Sequence, residues 1–241
     1  AMLQAGRNFA DVAYFYGEEA PLTSLYGDGP VKDAPKTYAY DFVNYGALTD
    51  ALSNDGTEVV SVGGARYKAI YLGGSSHRMT LSAMKRLASL AEGGATIVGM
   101  KPESSPSLSD NAAEWSALAA KLWAGSEVTQ VGKGQVIASR DIEAALAKTG
   151  LVSDFRHDGG ADVRVEFVHR RLADGDSYFL VNRNNVAANV EARFRVTGKA
   201  PEIWDAETGK SEPVSYRIEG GETVVPLQFG AEKSFHVVFR K

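Results

Sequence analysis

The sequence contains no cysteine, which removes disulfides, thiolate nucleophiles and Cys-ligated zinc together. Its 4 histidines, His77, His157, His169 and His236, show no metal-ligand spacing, so no metal and no cofactor is expected. No apolar run approaches the ~18 residues that a membrane-crossing helix requires, and no membrane partner is expected. Basic residues are scattered among acidic ones, with a net charge of -4, so there is no basic patch for nucleic acid. The first residues lack a charged stretch followed by an apolar one, so this stretch reads as carrying no signal peptide. No internal repeat is visible.

What is present is an ordinary globular composition: 241 residues, 44% apolar, enough to bury a core in one large or two medium domains. The clearest organisation lies in Lys68 to Pro102. Ala69 to Leu72 is a short apolar run, and Gly73-Gly74-Ser75-Ser76 interrupts it. Leu81, Met84, Leu87, Ala88 and Ala91 then recur at helical spacing. Thr80 is placed to cap that helix and Gly93 or Gly94 to stop it. A second apolar run from Ala95 to Gly99 completes a strand, helix, strand unit of the kind that pairs in parallel.

The same grammar extends outward. Asp11 to Gly17 reads as a first strand, followed by a Pro, Gly and Tyr-rich tract to Tyr40 that is long for a simple connector. Asp41 or Asn44 is expected to cap a helix carrying Leu48, Ala51 and Leu52, and Glu58 to Val62 to form the second strand. Asp110 or Asn111 should cap a helix with Trp115, Leu118, Ala119, Leu122 and Trp123. Gln135 to Ala138 should be a fifth strand, with a last helix after Asp141. Five strands alternating with helices predict an α/β domain with a flavodoxin-like doubly wound parallel sheet over residues 1–152. Beyond Leu151 the period drops to two: Val163, Val165, Phe167 and His169 alternate with Arg164, Glu166, Val168 and Arg170. Strands are expected at Tyr178 to Asn182, Val190 to Val196, Glu202 to Trp204, Thr223 to Leu227 and Ser234 to Phe239, divided by turn pairs such as Asp174-Gly175, Thr208-Gly209 and Gly220-Gly221. This all-β part, residues 153–241, predicts an antiparallel β-sandwich.

Chemistry is harder to place. Gly73-Gly74-Ser75-Ser76-His77 sits where some α/β hydrolases carry G-x-S-x-G, but its fifth position is His, where the elbow needs a small residue. Glutamine amidotransferases that use this turn need a cysteine there. The glycines of Gly27-Asp28-Gly29, Gly63-Gly64 and Gly132-Lys133-Gly134 match no phosphate-binding pattern. His169 and His236 fall inside strand patterns and read as satisfied structural residues. Glu18, Glu19, Asp28, Asp33 and Asp41 concentrate negative charge near the carboxyl edge of the expected sheet, where open α/β sheets place ligands. Glu18 and Glu19, with Tyr38, Tyr40 and Asp41, are the candidate substrate-binding residues, because aromatic rings beside carboxylates suit sugars. Pinning the loop is the competing role for Glu18. No complete catalytic constellation is present.

Gly6 to Leu22 (GRNFADVAYFYGEEAPL), Tyr38 to Leu48 (YAYDFVNYGAL) and Val196 to Lys210 (VTGKAPEIWDAETGK) resemble the C-terminal portion of glycoside hydrolase family 106, the α-L-rhamnosidases. The spans from Met79 and the ending from Val224 resemble it in the same order, so the likeness covers nearly the whole chain. The middle unit is also similar to the accessory domain of β-galactosidase-like hydrolases. The resemblance implies a large enzyme that hydrolyses terminal α-L-rhamnosyl linkages with inversion, using a carboxylic acid and a carboxylate base on an upstream (β/α)8 barrel. No position here matches those two glutamates, so the implied role is a non-catalytic accessory region, inactive alone. Its partners would be the upstream barrel and rhamnose-containing glycans, in a full-length protein of the bacterial periplasm or secreted. A free-standing carbohydrate-binding or interaction module is the alternative, and a small serine hydrolase using Ser75 or Ser76 a third.

Overall fold

The computed structural model describes residues 2–19, 31–160 and 162–240. Most of the expected connector after Glu19 therefore lies outside the described residues, Asp28 and its flanking glycines included. The chain is mostly β and divides into two compact units, one of residues 10–35 and 40–150, the other of residues 1–9, 36–39 and 151–241.

In the first unit, five strands run parallel. Across the sheet they are ordered Tyr40–Val43, Val12–Phe15, Ala69–Leu72, Thr96–Val98 and Gly134–Ile137, so their chain order is 2-1-3-4-5. Val128–Val131 adds an antiparallel edge beside Gly134–Ile137. Val12–Phe15 and Ala69–Leu72 are buried at every position. That burial explains their unbroken apolar runs, since both faces of such a sheet are covered.

Local signals set the helices. In α1 (Leu81–Gly93) the Thr80 hydroxyl accepts from the Ala83 amide at 3.2 Å, and Gly94 at φ 124 ends the helix. Its stripe of Leu81, Met84, Leu87, Ala88 and Ala91 is buried as the spacing predicts. α2 (Ala112–Leu122) and α3 (Ile142–Lys148) are capped by Asn111 and Asp141.

Two expectations are corrected. The second parallel strand is Tyr40–Val43, whereas Val59–Ser61 sits in a separate three-stranded antiparallel sheet with Leu52–Asn54 and Arg66–Tyr67. Glu58 bonds Arg66 and lies beside Lys68, which closes that small sheet on itself. The helix expected after Asn44 is a single π-helical turn, Ala47–Ala51. The Asn44 side chain does cap the segment, accepting from the Ala47 amide at 2.8 Å, but Leu52 already adopts extended geometry and enters the small sheet. Among the described residues no helix covers the connection from Phe15 to Tyr40.

The second unit is sandwich-like. A six-stranded sheet orders Arg7–Asn8, Val165–Arg171, Gly175–Asn182, Ser234–Arg240, Ala200–Trp204 and Ser211–Pro213. A four-stranded sheet orders Phe155–His157, Ala188–Phe194, Glu222–Phe229 and Arg217–Glu219. All pairings are antiparallel. The period-two reading holds along Val165–Arg171, where Val165 and His169 are buried and Glu166 and Val168 exposed. Phe155, Tyr178, Phe194, Leu227, Val237 and Phe239, drawn from both sheets, form the shared core.

Candidate functional site

Two polar constellations stand out, one in each unit. In the parallel unit, Glu18 reaches α1: its carboxylate accepts from the Thr80 amide at 2.8 Å and from the Thr80 hydroxyl at 2.9 Å. A carboxylate at a helix N-terminus satisfies an otherwise unpaired donor and the positive end of the helix dipole. Glu19 pairs with Arg78 at 2.9 Å, and its amide donates to the Ser75 hydroxyl at 3.2 Å. Asp41 accepts from the Tyr67 hydroxyl at 3.0 Å.

Tyr40 packs edge-on against Tyr14 and Phe42, with centroids 5.9 and 5.3 Å away. Tyr14, Tyr71 and Phe42 share that sheet face because the parallel register places them side by side. Asp33, weighed only as part of a charge group in the sequence, ties the face to the turn. It accepts from the Tyr14 hydroxyl at 2.6 Å and from the Gly74 amide at 2.8 Å. Burial, reinforced by Asp33, pushes the Tyr14 phenol well above its usual pKa, and burial with Asp33 and Asp141 raises Tyr71 to about 12.

Tyr38 belongs to the other unit, where it is buried and its hydroxyl donates to the Leu151 carbonyl at 2.7 Å. The serine turn is a polar turn: the Ser75 hydroxyl donates to the Tyr16 carbonyl at 3.3 Å and that of Ser76 to the Phe15 carbonyl at 3.2 Å. Neither bond activates a nucleophile, since a carbonyl cannot serve as general base.

The second constellation was not foreseen as a group. In the sandwich unit, His169 is buried between two carboxylates. Its Nδ1 lies 2.9 Å from Asp154 and its Nε2 3.1 Å from Asp176. Burial alone would depress the imidazole pKa, but these two carboxylates overcome it and raise it, so both ring nitrogens donate. Asp154 also accepts from the Tyr178 hydroxyl at 2.9 Å, and Asp176 from Lys199 at 2.6 Å. Burial would raise the Asp176 pKa, yet His169 and Lys199 hold it down at about 2. An acid with so low a pKa stays ionised and cannot protonate a leaving group near neutrality.

Beside this cluster opens a cavity of about 440 Å³, bounded by Phe9, Arg171, Arg195, Lys199 and the turn from Leu172 to Gly175. Phe9 lies against one face of His169, centroids 4.4 Å apart, and carries the Arg171 guanidinium 4.6 Å from its own centroid. His169 was legible as a satisfied strand histidine. Its two acid partners lie 15 and 7 residues away: strand pairing brings Asp176 to it, and Asp154 comes from just before a strand of the other sheet.

Comparison with known proteins adds the following. The model of a glycoside hydrolase 106 family, described as alpha-L-rhamnosidase, matches residues 1–218. A solved rhamnosidase from Novosphingobium sp. PP1Y is 57% identical with a TM-score of 0.91, covering 100% of this chain and 23% of its own. A curated protein from Formosa agariphila named putative beta-glucuronidase is 33% identical over 99% of this chain and 20% of its own length. The solved beta-galactosidase from Bacillus circulans sp. alkalophilus shares the fold at 12% identity and a TM-score of 0.55, this chain covering 42% of it. The chain thus spans about a fifth of the length of the Novosphingobium and Formosa proteins.

Proposed function

Because the chain belongs to glycoside hydrolase family 106, the α-L-rhamnosidases, we propose that it is the non-catalytic C-terminal accessory region of such an enzyme. The catalytic (β/α)8 barrel lies upstream in the same polypeptide. The enzyme hydrolyses terminal α-L-rhamnosyl linkages in rhamnose-containing glycans, with the acid and base both supplied by the barrel. One observation carries the reading: among the described residues, the carboxylates gathered at the two polar constellations are already committed, as is the buried Glu222, which pairs with Arg156. Glu18 is spent on Thr80, Asp41 on Tyr67, Asp33 on Tyr14 and Gly74, and Asp154 and Asp176 on His169. A glycosidase needs one carboxyl held protonated and one free to act as base or nucleophile, facing each other across a sugar.

The parallel layer is read as a flavodoxin-like, doubly wound accessory domain in which the first crossover has lost its helix; the 2-1-3-4-5 strand order supports this. The sandwich is the second accessory domain, divided from the first near residue 152 and completed by residues 1–9 and 36–39. Of the five candidate contact residues, Glu18, Tyr38 and Asp41 are best explained as pins of the segment from Glu18 to Asn44. Glu19, exposed and paired with Arg78, and Tyr40, partly exposed, are read as the candidates that face the barrel or its glycan.

The test is incubation of the purified 241-residue chain with an aryl α-L-rhamnoside. No turnover above buffer is expected, and saturable release of the aryl group by this chain would overturn the reading.

A further inference from the structure

The cavity of the sandwich unit has a feature the fold does not use. Asp154 and Asp176 are saturated: between them they take both nitrogens of His169, the Tyr178 hydroxyl, Lys199 and, at 3.5 Å, Arg195. Arg171 is left over. Its nearest acid atom is Asp176 Oδ1 at 3.8 Å from Nε, beyond hydrogen-bond reach, and its side chain is 48% exposed. Stacking on Phe9 holds the guanidinium in place without consuming any of its N–H donors.

The lining side chains count four cations (His169 in its charged form, Arg171, Arg195 and Lys199) against three carboxylates (Asp154, Asp174 and Asp176). His169, Arg195 and Lys199 are engaged by Asp154 and Asp176, and Asp174 lies 3.5 Å from Arg240, so Arg171 is the lining cation without a hydrogen-bonded acid among the described residues. The rest of the lining is Thr197, the backbone of the turn from Leu172 to Gly175 and the apolar residues Phe9, Leu172, Ala173 and Val196.

From this geometry we infer that the cavity is a binding subsite for a carboxylate-bearing sugar, a hexuronate unit of a glycan, with its carboxylate on the Arg171 fork. A guanidinium held over an aromatic ring, with no acid within hydrogen-bond distance among the described residues, matches a planar carboxylate in bidentate fashion. Lys199 and Arg195 add long-range attraction while staying bound to their own acids. Asp174 and Thr197 offer acceptors to ring hydroxyls, and a volume of about 440 Å³ holds a monosaccharide with room for water. Phe9 positions Arg171 and does not stack on the sugar, since His169 lies tilted against it and the Arg171 and Arg195 guanidiniums lie over it at 4.6 and 5.6 Å. The anion site stands on geometry alone. Its assignment to a sugar rests on the proposed glycan chemistry of the family, and the acetate arm below separates the two.

The experiment is an NMR titration of the 241-residue chain with methyl α-D-glucopyranosiduronate. Its neutral counterpart methyl α-D-glucopyranoside and sodium acetate serve as comparison ligands, at low and high salt. The uronoside is expected to saturate shifts of the Arg171 Nε and the amides from Leu172 to Gly175, and to weaken with salt. Arg171→Gln should reduce its affinity roughly tenfold or more and Arg171→Lys should fall between, as expected for loss of a bidentate charge-assisted pair. Both replacements are at a half-exposed position, and unchanged thermal unfolding confirms that they fold. Non-saturable uronoside binding, or equal affinity in Arg171→Gln, overturns the site. Acetate binding as tightly as the uronoside overturns its assignment to a sugar.

Discussion

The imidazole of His169 lies stacked on the ring of Tyr178, centroids 4.0 Å apart and planes 19° apart, while the Tyr178 hydroxyl donates to the same Asp154 that accepts from His169. A buried cation thus has an aromatic face on one side, Phe9 on the other, and a carboxylate at each nitrogen. The arrangement ties together the Val165–Arg171 and Gly175–Asn182 strands and the residue that opens Phe155–His157. Removing the middle of such an array takes from two buried anions the donor they share, leaving Asp176 on Lys199 and Asp154 on the Tyr178 hydroxyl with Arg195 3.5 Å away. His169→Leu is therefore expected to destabilise the chain by about 3–5 kcal/mol, as for other broken buried pairs. His169→Gln, which keeps donor capacity without the charge, should cost less. Urea unfolding of both checks the order, and equal loss in the two variants would show that the charge is irrelevant.

The pH dependence follows from the same pair of shifts. The folded pKa of His169 is raised, so the stability it contributes is complete below its unfolded value of about 6.5 and is lost as pH rises through the folded value. Asp176 is depressed to about 2, so its contribution is complete above its unfolded value near 4 and is lost as pH falls toward 2. Stability measured by denaturant should therefore decline on the alkaline side above neutrality in the wild type, and that portion of the decline should vanish in His169→Gln. A His169 ring that titrates below 6.5 by NMR would refute the sign.

On the other unit, Glu18 and Thr80 form a closed exchange: Thr80 caps α1 through Ala83 while its amide and hydroxyl both donate to Glu18. Thr80→Ala should cost about 1–2 kcal/mol for the lost cap and hydroxyl partner. Glu18→Gln should cost about 1–2 kcal/mol, since only one of the two acceptor oxygens remains and the charge at the helix N-terminus is lost. A double-mutant cycle should give a coupling of at least ~0.5 kcal/mol, and strict additivity would show that the two residues act independently.

Much of this fold was readable because its signals are local. Thr80, the stripe from Leu81 to Ala91 and Gly94 lie within one helix length of one another, and each acts through bonds or packing a few residues away. Tyr40–Val43 was missed because nothing local marks it. It is an edge strand whose Phe42 is exposed, and it exists as a strand through its parallel pairing with Val12–Phe15, 28 residues earlier. Val59–Ser61 has better strand composition yet pairs within its own hairpin, because its charged neighbours close on Arg66. Among candidate residues, Glu18 and Asp41 were found by their charge, but their tasks depended on partners 62 and 26 residues distant. Asp154 and Asp176 carried no sequence signal at all, for an isolated aspartate beside a strand looks the same whether solvated or bound to a buried histidine.

The turn after Ala69–Leu72 provides a test that separates steric from conformational demands on glycine. Gly73 needs no unusual φ, yet a Cβ there would lie 2.1 Å from the Tyr14 ring and 2.7 Å from Asp33. Neither neighbour yields easily, because the Tyr14 hydroxyl holds Asp33 at 2.6 Å and the ring stacks on Tyr71. Gly150 is the converse: its φ is +82, but nothing lies within 4 Å of the added atom. Gly150→Ala should cost about 1–2 kcal/mol, the strain of a left-handed backbone alone. Gly73→Ala should cost about 3 kcal/mol, the upper part of the range for overpacking, and should disturb the Tyr14 and Asp33 resonances. Tyr14→Phe in the Gly73→Ala background should recover part of that loss, because it removes the Tyr14 hydroxyl oxygen, itself 2.7 Å from the new methyl group, and one of the two bonds that hold Asp33. Failure of this second change to recover any stability would show that the clash with the ring, and not the hydrogen-bonded pair, sets the demand for glycine.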